Sequence, residues 1–125
     1  MNLVLDAGAL IAIDRDDRRV AGLLELGRRV AARLVTTSPV VGQAWREGAH
    51  QVRLARALAM IDVRPVGLPD AKDAGALLGA AGCSDVVDAL VALLALPGDQ
   101  VLTSDPGDLV HLLEARHVDV RIVTV

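Results

Sequence analysis

The chain alternates short aliphatic or β-branched runs with longer stretches in which apolar residues recur every three or four positions. Such alternation marks a parallel sheet covered by helices on both faces. It predicts strands near 2–5, 34–37, 61–66, 100–103 and 120–124. Between them, Arg18 to Ala32 carries Val20, Leu23, Leu24, Leu26 and Val30 at helical spacing, and Asp70 to Ala81 carries Ala74, Leu77, Leu78 and Ala81. The run from Ala9 to Ile13 reads as a buried helix behind the first strand. Ser38-Pro39 reads as an N-cap followed by proline at the first helical position, and Ser84-Asp85 opens a very apolar helix over 84–96. Pro97-Gly98-Asp99 stops that helix with turn chemistry. The expected fold class is α/β, a three-layer α/β/α arrangement around a mainly parallel central sheet.

With 125 residues and 13.1 kDa, the chain suits one domain with a substantial core. Mean hydropathy is high at +0.45, yet the longest charge-free apolar run, Ala89 to Pro97, falls far short of the roughly 20 residues that span a bilayer. The hydrophobicity is therefore assigned to a core and no membrane partner is expected. Asp6 interrupts the first apolar stretch and no basic segment precedes it, so a signal peptide is not expected and the default compartment is the cytoplasm. Cys83, the single cysteine, has no partner for a disulfide or a zinc knuckle and reads as a small buried hydrophobe.

A net charge of -3 argues against a nucleic-acid partner only as a sum. Twelve of the thirteen basic residues are arginine, concentrated in Arg15 to Arg33 and Arg46 to Arg64, while acids gather from Asp85 to Asp108. That distribution permits a basic surface beside an acidic pocket.

Three acids stand in apolar settings: Asp6 after Leu3-Val4-Leu5, Asp88 inside Val86 to Leu94, and Asp105 after Val101-Leu102-Thr103-Ser104. A charge so placed is costly unless it is compensated. Ligands of open parallel sheets bind beyond the carboxyl ends of the strands, where the strand order reverses, so Asp6 and Asp105 share a destination. Asp85 lies three residues before Asp88, on the same helical face. Crowded carboxylates raise one another's pKa, and a divalent ion removes that penalty. Oxygen ligands without cysteine or clustered histidine suit Mg²⁺ or Mn²⁺. Such a metal polarises a phosphate oxygen, acidifies a bound water and steadies the leaving group in phosphodiester hydrolysis. Each acid also has a plainer reading, as a helix N-cap or turn residue.

Over nearly its whole length the chain resembles the PIN domains, particularly the VapC toxins of bacterial toxin–antitoxin pairs. The resemblance rests on Leu3-Val4-Leu5-Asp6 with Ala9-Leu10-Ile11-Ala12, on Asp88-Ala89-Leu90-Val91-Ala92, and on Leu102-Thr103-Ser104-Asp105, in that order. It implies a PIN-like fold and an endoribonuclease dependent on Mg²⁺ or Mn²⁺, held inactive by a cognate antitoxin and often dimeric. Asp6, Asp88 and Asp105 would be the metal-binding, catalytic acids. Such toxins usually carry a glutamate in the helix after the second strand, and the matching residue here is Gln43. Glu47, one helical turn further on, reads equally as a substitute acid and as an ordinary solvated residue, with Gln43 a polar residue behind the site. Ala7-Gly8 stands where the family often has Thr or Ser, and Gly8 would let substrate approach its backbone N–H.

Among the remaining candidates, Asp85 reads equally as a first-turn acid and as an outer ligand, and Asp108 reads as a helix-start acid. His50, His111 and His117 read as surface or helix-end residues. Trp45, the only aromatic, is expected in the core or an antitoxin interface, and Arg46 beside it is a candidate phosphate contact. Two rival families fit poorly. A phospho-accepting receiver needs a late lysine, and Lys72 is the only lysine; a haloacid-dehalogenase-type phosphatase needs a second aspartate where Gly8 stands. The stronger alternative is a PIN fold that binds RNA or protein without cleaving.

Overall fold

A computed structural model describes the protein from Met1 to Val125. The chain runs β1 (Asn2–Leu5), α1 (Ala7–Asp14), α2 (Arg18–Arg29), β2 (Arg33–Thr37), α3 (Ser38–Ala44), a 3-10 turn at Gly48–His50, α4 (Val52–Leu58), β3 (Asp62–Arg64), α5 (Leu68–Ala81), α6 (Val86–Leu94), β4 (Gln100–Thr103), α7 (Gly107–Arg116) and β5 (Arg121–Thr124). All five strands are parallel, in the order β3-β2-β1-β4-β5. The expected α/β class and its five strands are therefore present.

Parallel strands covered on both faces must be apolar throughout, because neither face meets water. Leu3, Val4, Leu5, Val35, Val101 and Leu102 obey this and are at most 3% exposed. Helices α1 to α4 pack with one another and α5 to α7 with one another, one group on each face of the sheet. The core runs through all three layers, from Leu10 and Leu54 through the strands to Ala89, Val91, Leu109 and Leu112. No single helix is long and apolar enough to cross a membrane.

The chain builds β2 and β3 to one side of β1, then returns to build β4 and β5 on the other. Strand order therefore reverses between β1 and β4. Asp6 directly follows β1, and Asp105 lies two residues beyond β4.

Helix starts differ in detail from the expectation. Thr37, not Ser38, is the N-cap of α3, and Pro39 stands in its first turn. The apolar helix over 84–96 is shorter, Val86–Leu94, with Asp85 as its cap. Two residues do more than the sequence assigns to them: Asp99 reads only as part of a turn, and Arg116 has no reading of its own. Asp99 is 3% exposed, and its carboxylate accepts from Asn2 N at 2.7 Å, Asn2 Nδ2 at 3.1 Å and Leu96 N at 2.9 Å. It ties the start of β1 to the turn before β4. Arg116 donates to the carbonyls of Ala92 and Ala95, closing the C-terminal end of α6.

Candidate functional site

Asp6 is 7% exposed and serves as N-cap of α1. Its Oδ1 accepts from Ala7 N at 2.8 Å and its Oδ2 from Thr103 Oγ1 at 2.8 Å. The Thr103 hydroxyl in turn accepts from Asp105 N at 3.1 Å. One buried hydroxyl thus links the two acids across the switch point. Its signal in the sequence was its place two residues before Asp105 at the end of a strand.

Asp85 caps α6: its Oδ1 accepts from Val87 N at 2.9 Å and from Asp88 N at 3.1 Å. Its reading as a helix-start acid is the one observed, and it stands beside the next acid. Asp88 follows in the first turn, half-buried. Its pKa is pushed up to about 7, first by burial and then by the charges of Asp85, Asp6, Asp108 and Asp105. Five carboxylates therefore share one neighbourhood, with Asp88 at its centre. Asp108 occupies the first turn of α7, as its helix-start reading expected, yet it also belongs to this group.

No cation relieves the cluster. The molecule's six ion pairs involve Glu25, Glu47, Asp16 and Asp62, and none of these five acids. Asp88 and Asp105 donate through their backbone N–H groups, and the side chains of Asp88, Asp105 and Asp108 accept no hydrogen bond. Hydrogen bonds hold the carboxylates of Asp6 and Asp85, whereas those of Asp88, Asp105 and Asp108 have no partner in the chain, and such hard oxygen donors are the class that Mg²⁺ or Mn²⁺ takes. No three acidic, histidine or cysteine side chains stand close enough together to hold a metal ion by themselves.

Cys83 sits at the edge of the cluster, partly buried against the core. Burial, then the Asp108 and Asp88 charges, push its thiol above the usual range. It is held protonated and unreactive, in keeping with its reading as a small hydrophobe.

The helix after the second strand departs from expectation. It ends at Ala44, so Glu47 is not one turn beyond Gln43 on the same face. Glu47 has extended backbone, φ -149 and ψ 112, and its carboxylate lies 3.8 Å from His50 Nε2. What stops the helix is a set of local bonds. Arg46 donates from its guanidinium to Gly42 O and Trp45 O, and Gln51 Oε1 takes the N–H groups of Arg46 and Glu47. Glu47 is therefore withdrawn as a substitute acid. Gln43 and Arg46 line a shallow depression with Asp14, Arg15 and Gln51 that contains none of the five clustered acids. Trp45 packs against the core, and the absence of a side chain at Gly48 makes room for its ring.

Gly8 is also reassigned. A Cβ there would lie 2.6 Å from Ser104 Cβ and 2.8 Å from Ser104 N. Its bareness serves contact between α1 and the loop carrying Asp105, and the space beside its Cα is already filled by the chain itself.

No protein-family model and no curated protein matches the sequence. Among solved structures, the chain is similar to one in the crystal structure of VapBC2 from Rickettsia felis bound to a DNA fragment from their promoter. The TM-score is 0.67 at 13% sequence identity, over 98% of this chain and 99% of that one. So complete an overlap at so low an identity is agreement of fold, and the PIN-like three-layer arrangement expected from the sequence is the one observed.

Proposed function

We propose that this protein is a divalent-metal-dependent endoribonuclease that hydrolyses RNA phosphodiester bonds and acts as the toxin of a toxin–antitoxin pair. The observation that carries the reading is Asp88, half-buried among four other carboxylates with no cation nearby. Such repulsion is an energetic fault in an empty molecule and an asset in one that binds a cation. The motif resemblance to VapC toxins and the fold shared with a VapBC2 chain give the cation a use.

In this reading Asp6, Asp88 and Asp105 hold one or two Mg²⁺ or Mn²⁺ ions, with Asp85 and Asp108 beside them. The metal, when bound, neutralises charge on the phosphate and acidifies water. The chain's own residues orient and exchange protons. Ala7 N–H and the Thr103 hydroxyl fix the Asp6 carboxylate, and Asp85 fixes the start of the helix bearing Asp88. Asp88 must give up its proton to become a ligand, so metal uptake releases a proton at and below neutral pH. Arginines outside the cluster, among them Arg15 and Arg46, position the RNA strand through its phosphates.

The antitoxin partner has a surface to use. An apolar groove of about 490 Å³ runs between α1, α2 and α4, walled by Ile13, Leu24, Ala57, Met60 and Ile61. The nuclease is further proposed to act in the cytoplasm and to form a homodimer.

The test is cleavage of a panel of structured RNAs with Mn²⁺, with EDTA, and by Asp88→Asn. Cleavage should require the metal and be lost in the variant; full activity in Asp88→Asn refutes the assignment. A second reading, a PIN-fold module that binds RNA or protein without cutting it, is favoured by Gln43, an uncharged amide where the resemblance expects a glutamate. Calorimetric titration with Mn²⁺ separates the two. The nuclease binds the ion and loses it in Asp88→Asn, whereas the binding module takes up none.

A further inference from the structure

Thr37 ends β2 one strand away from Asp6, since the register pairing Val4 with Val35 sets Thr37 beside the residue after β1. It is 2% exposed, and its hydroxyl has no hydrogen-bond partner. An N-cap threonine ordinarily accepts from the second or third N–H of its helix. Here Pro39, the second residue of the helix, has no N–H to give, and the hydroxyl caps nothing. A buried, unsatisfied hydroxyl in an ordered strand calls for a partner from outside.

That partner has a place to sit. Thr37 lines an open cavity of about 290 Å³ with Arg64, Asp73 and Asp70, walled on the apolar side by Leu90 and Leu93. The polar groups are unevenly occupied. Asp70 Oδ2 accepts from Gly67 N at 2.9 Å and belongs to the start of α5. Arg64 spends its Nε on Asp62 Oδ2 at 2.8 Å, which leaves both terminal amino groups free. Asp73, exposed like Arg64, has neither a hydrogen bond nor an ion pair within the chain. The cavity thus offers one free carboxylate, one free pair of guanidinium donors, one hydroxyl and a leucine wall.

A ligand complementary to that set is flat, with two adjacent N–H donors on one edge and two acceptors on another. We propose that this cavity takes a guanine base, whose N1–H and N2 amino group meet Asp73, whose O6 and N7 meet Arg64, and whose face lies on the leucines. Guanidinium donation to O6 and N7 is the commonest specific contact made to guanine. The other bases fit less well. Uracil flanks its single N–H with carbonyls that repel a carboxylate. Cytosine and adenine each place one amino group beside a ring acceptor. The base can come from an unpaired guanosine in an RNA strand or from a free guanine nucleotide. Only the first source rests on the nuclease reading, in which the cavity would hold a base beside the phosphate to be cut.

The test uses the whole chain in EDTA, so that neither metal nor cleavage enters. Fluorescence anisotropy compares a labelled oligouridylate with the same strand carrying one central guanosine. The guanosine strand should bind about tenfold tighter. Asp73→Asn should erase the preference, and Thr37→Val, which keeps the shape, should weaken it. Equal affinity of the two strands, or a preference retained in a folded Asp73→Asn, overturns the proposal. Competition with GMP identifies the source. Displacement at concentrations matching the strand's affinity makes the ligand a free nucleotide, and a preference that GMP does not disturb makes it a base within RNA. Guanosine preference without cleavage in Mn²⁺ would sink the nuclease reading alone, whereas cleavage without preference would sink this cavity alone.

Discussion

Asp88 and Asp99 are both acids in apolar surroundings, and they carry opposite energetic signs. Asp99 has three N–H groups around it and Asp88 has four carboxylates. The folded pKa of Asp88, about 7, lies above its unfolded value of roughly 3.9. The folded state therefore binds more protons across that interval, and stability falls as pH rises from about 4 to about 7. Asp88→Asn removes the repelling charge. Near pH 8 without metal it should gain about 1 kcal/mol, a figure that allows for solvent screening of a half-exposed group. Near pH 5 the gain should vanish; denaturant melts at the two pH values check both, and equal effects would contradict the assigned titration. Asp99→Ala should do the reverse, costing about 2–4 kcal/mol at either pH because three donors lose their acceptor. In the sequence Asp99 read only as turn chemistry after Pro97-Gly98. Its partner Asn2 is far away along the chain, and no periodicity signals such a pairing.

At the scale of the element, the sequence was most informative where apolar periodicity was strong and least where tertiary contacts decide. The five strands lie within a few residues of expectation because a doubly covered sheet admits only aliphatic runs. The segment from Trp45 to Leu58 was opaque. Its short helix α4 buries only Leu54 and is held by neighbours rather than by propensity, and the bonds of Arg46 and Gln51 that end α3 join side chains to backbone in no recognisable motif. Glu47 was misplaced for that reason. Asp6 and Asp105 were readable because they follow strands on either side of the reversal point, and Asp88 because it interrupts an apolar run at the start of a helix. Gly8 shows the limit of that logic, since its neighbour Ser104 is brought there by the β1–β4 pairing. Gly8→Ala would push Ser104 and its backbone aside, with a cost of about 1–3 kcal/mol as an overpacking change. The displaced loop carries Asp105, so Mn²⁺ affinity should fall along with the melting temperature. Trimming the neighbour in Gly8→Ala/Ser104→Gly should recover part of both. Unchanged stability in the single variant would mean that α1 and the loop do not pack as described.

The whole molecule couples its charge cluster to its stability through the sheet order. Asp6 and Asp105 are fixed to β1 and β4 at the reversal point, and α6 and α7 bring Asp88, Asp85 and Asp108 to the same end of the sheet. Unfolding separates Asp6, the Asp85 and Asp88 pair, and the Asp105 and Asp108 pair from one another, so a cation that bridges these groups would bind the folded state almost alone. Stabilisation then follows mass action, RT ln(1 + [L]/Kd), or about 2.7 kcal/mol when Mn²⁺ stands at a hundred times its Kd. Thermal melts near pH 8 should therefore shift upward with Mn²⁺ in proportion to the logarithm of its concentration. The shift should shrink as pH falls through about 7, because the ion must then displace a proton from Asp88. Asp88→Asn should combine a higher melting temperature without metal with a smaller rise on adding it, so the two melting curves converge as Mn²⁺ increases. A Mn²⁺-induced rise that is equal in both proteins, or unaffected by pH between about 5 and 8, would place the ion away from this cluster. Convergence would show that the same repulsion that weakens the empty fold is the means by which it selects its cation.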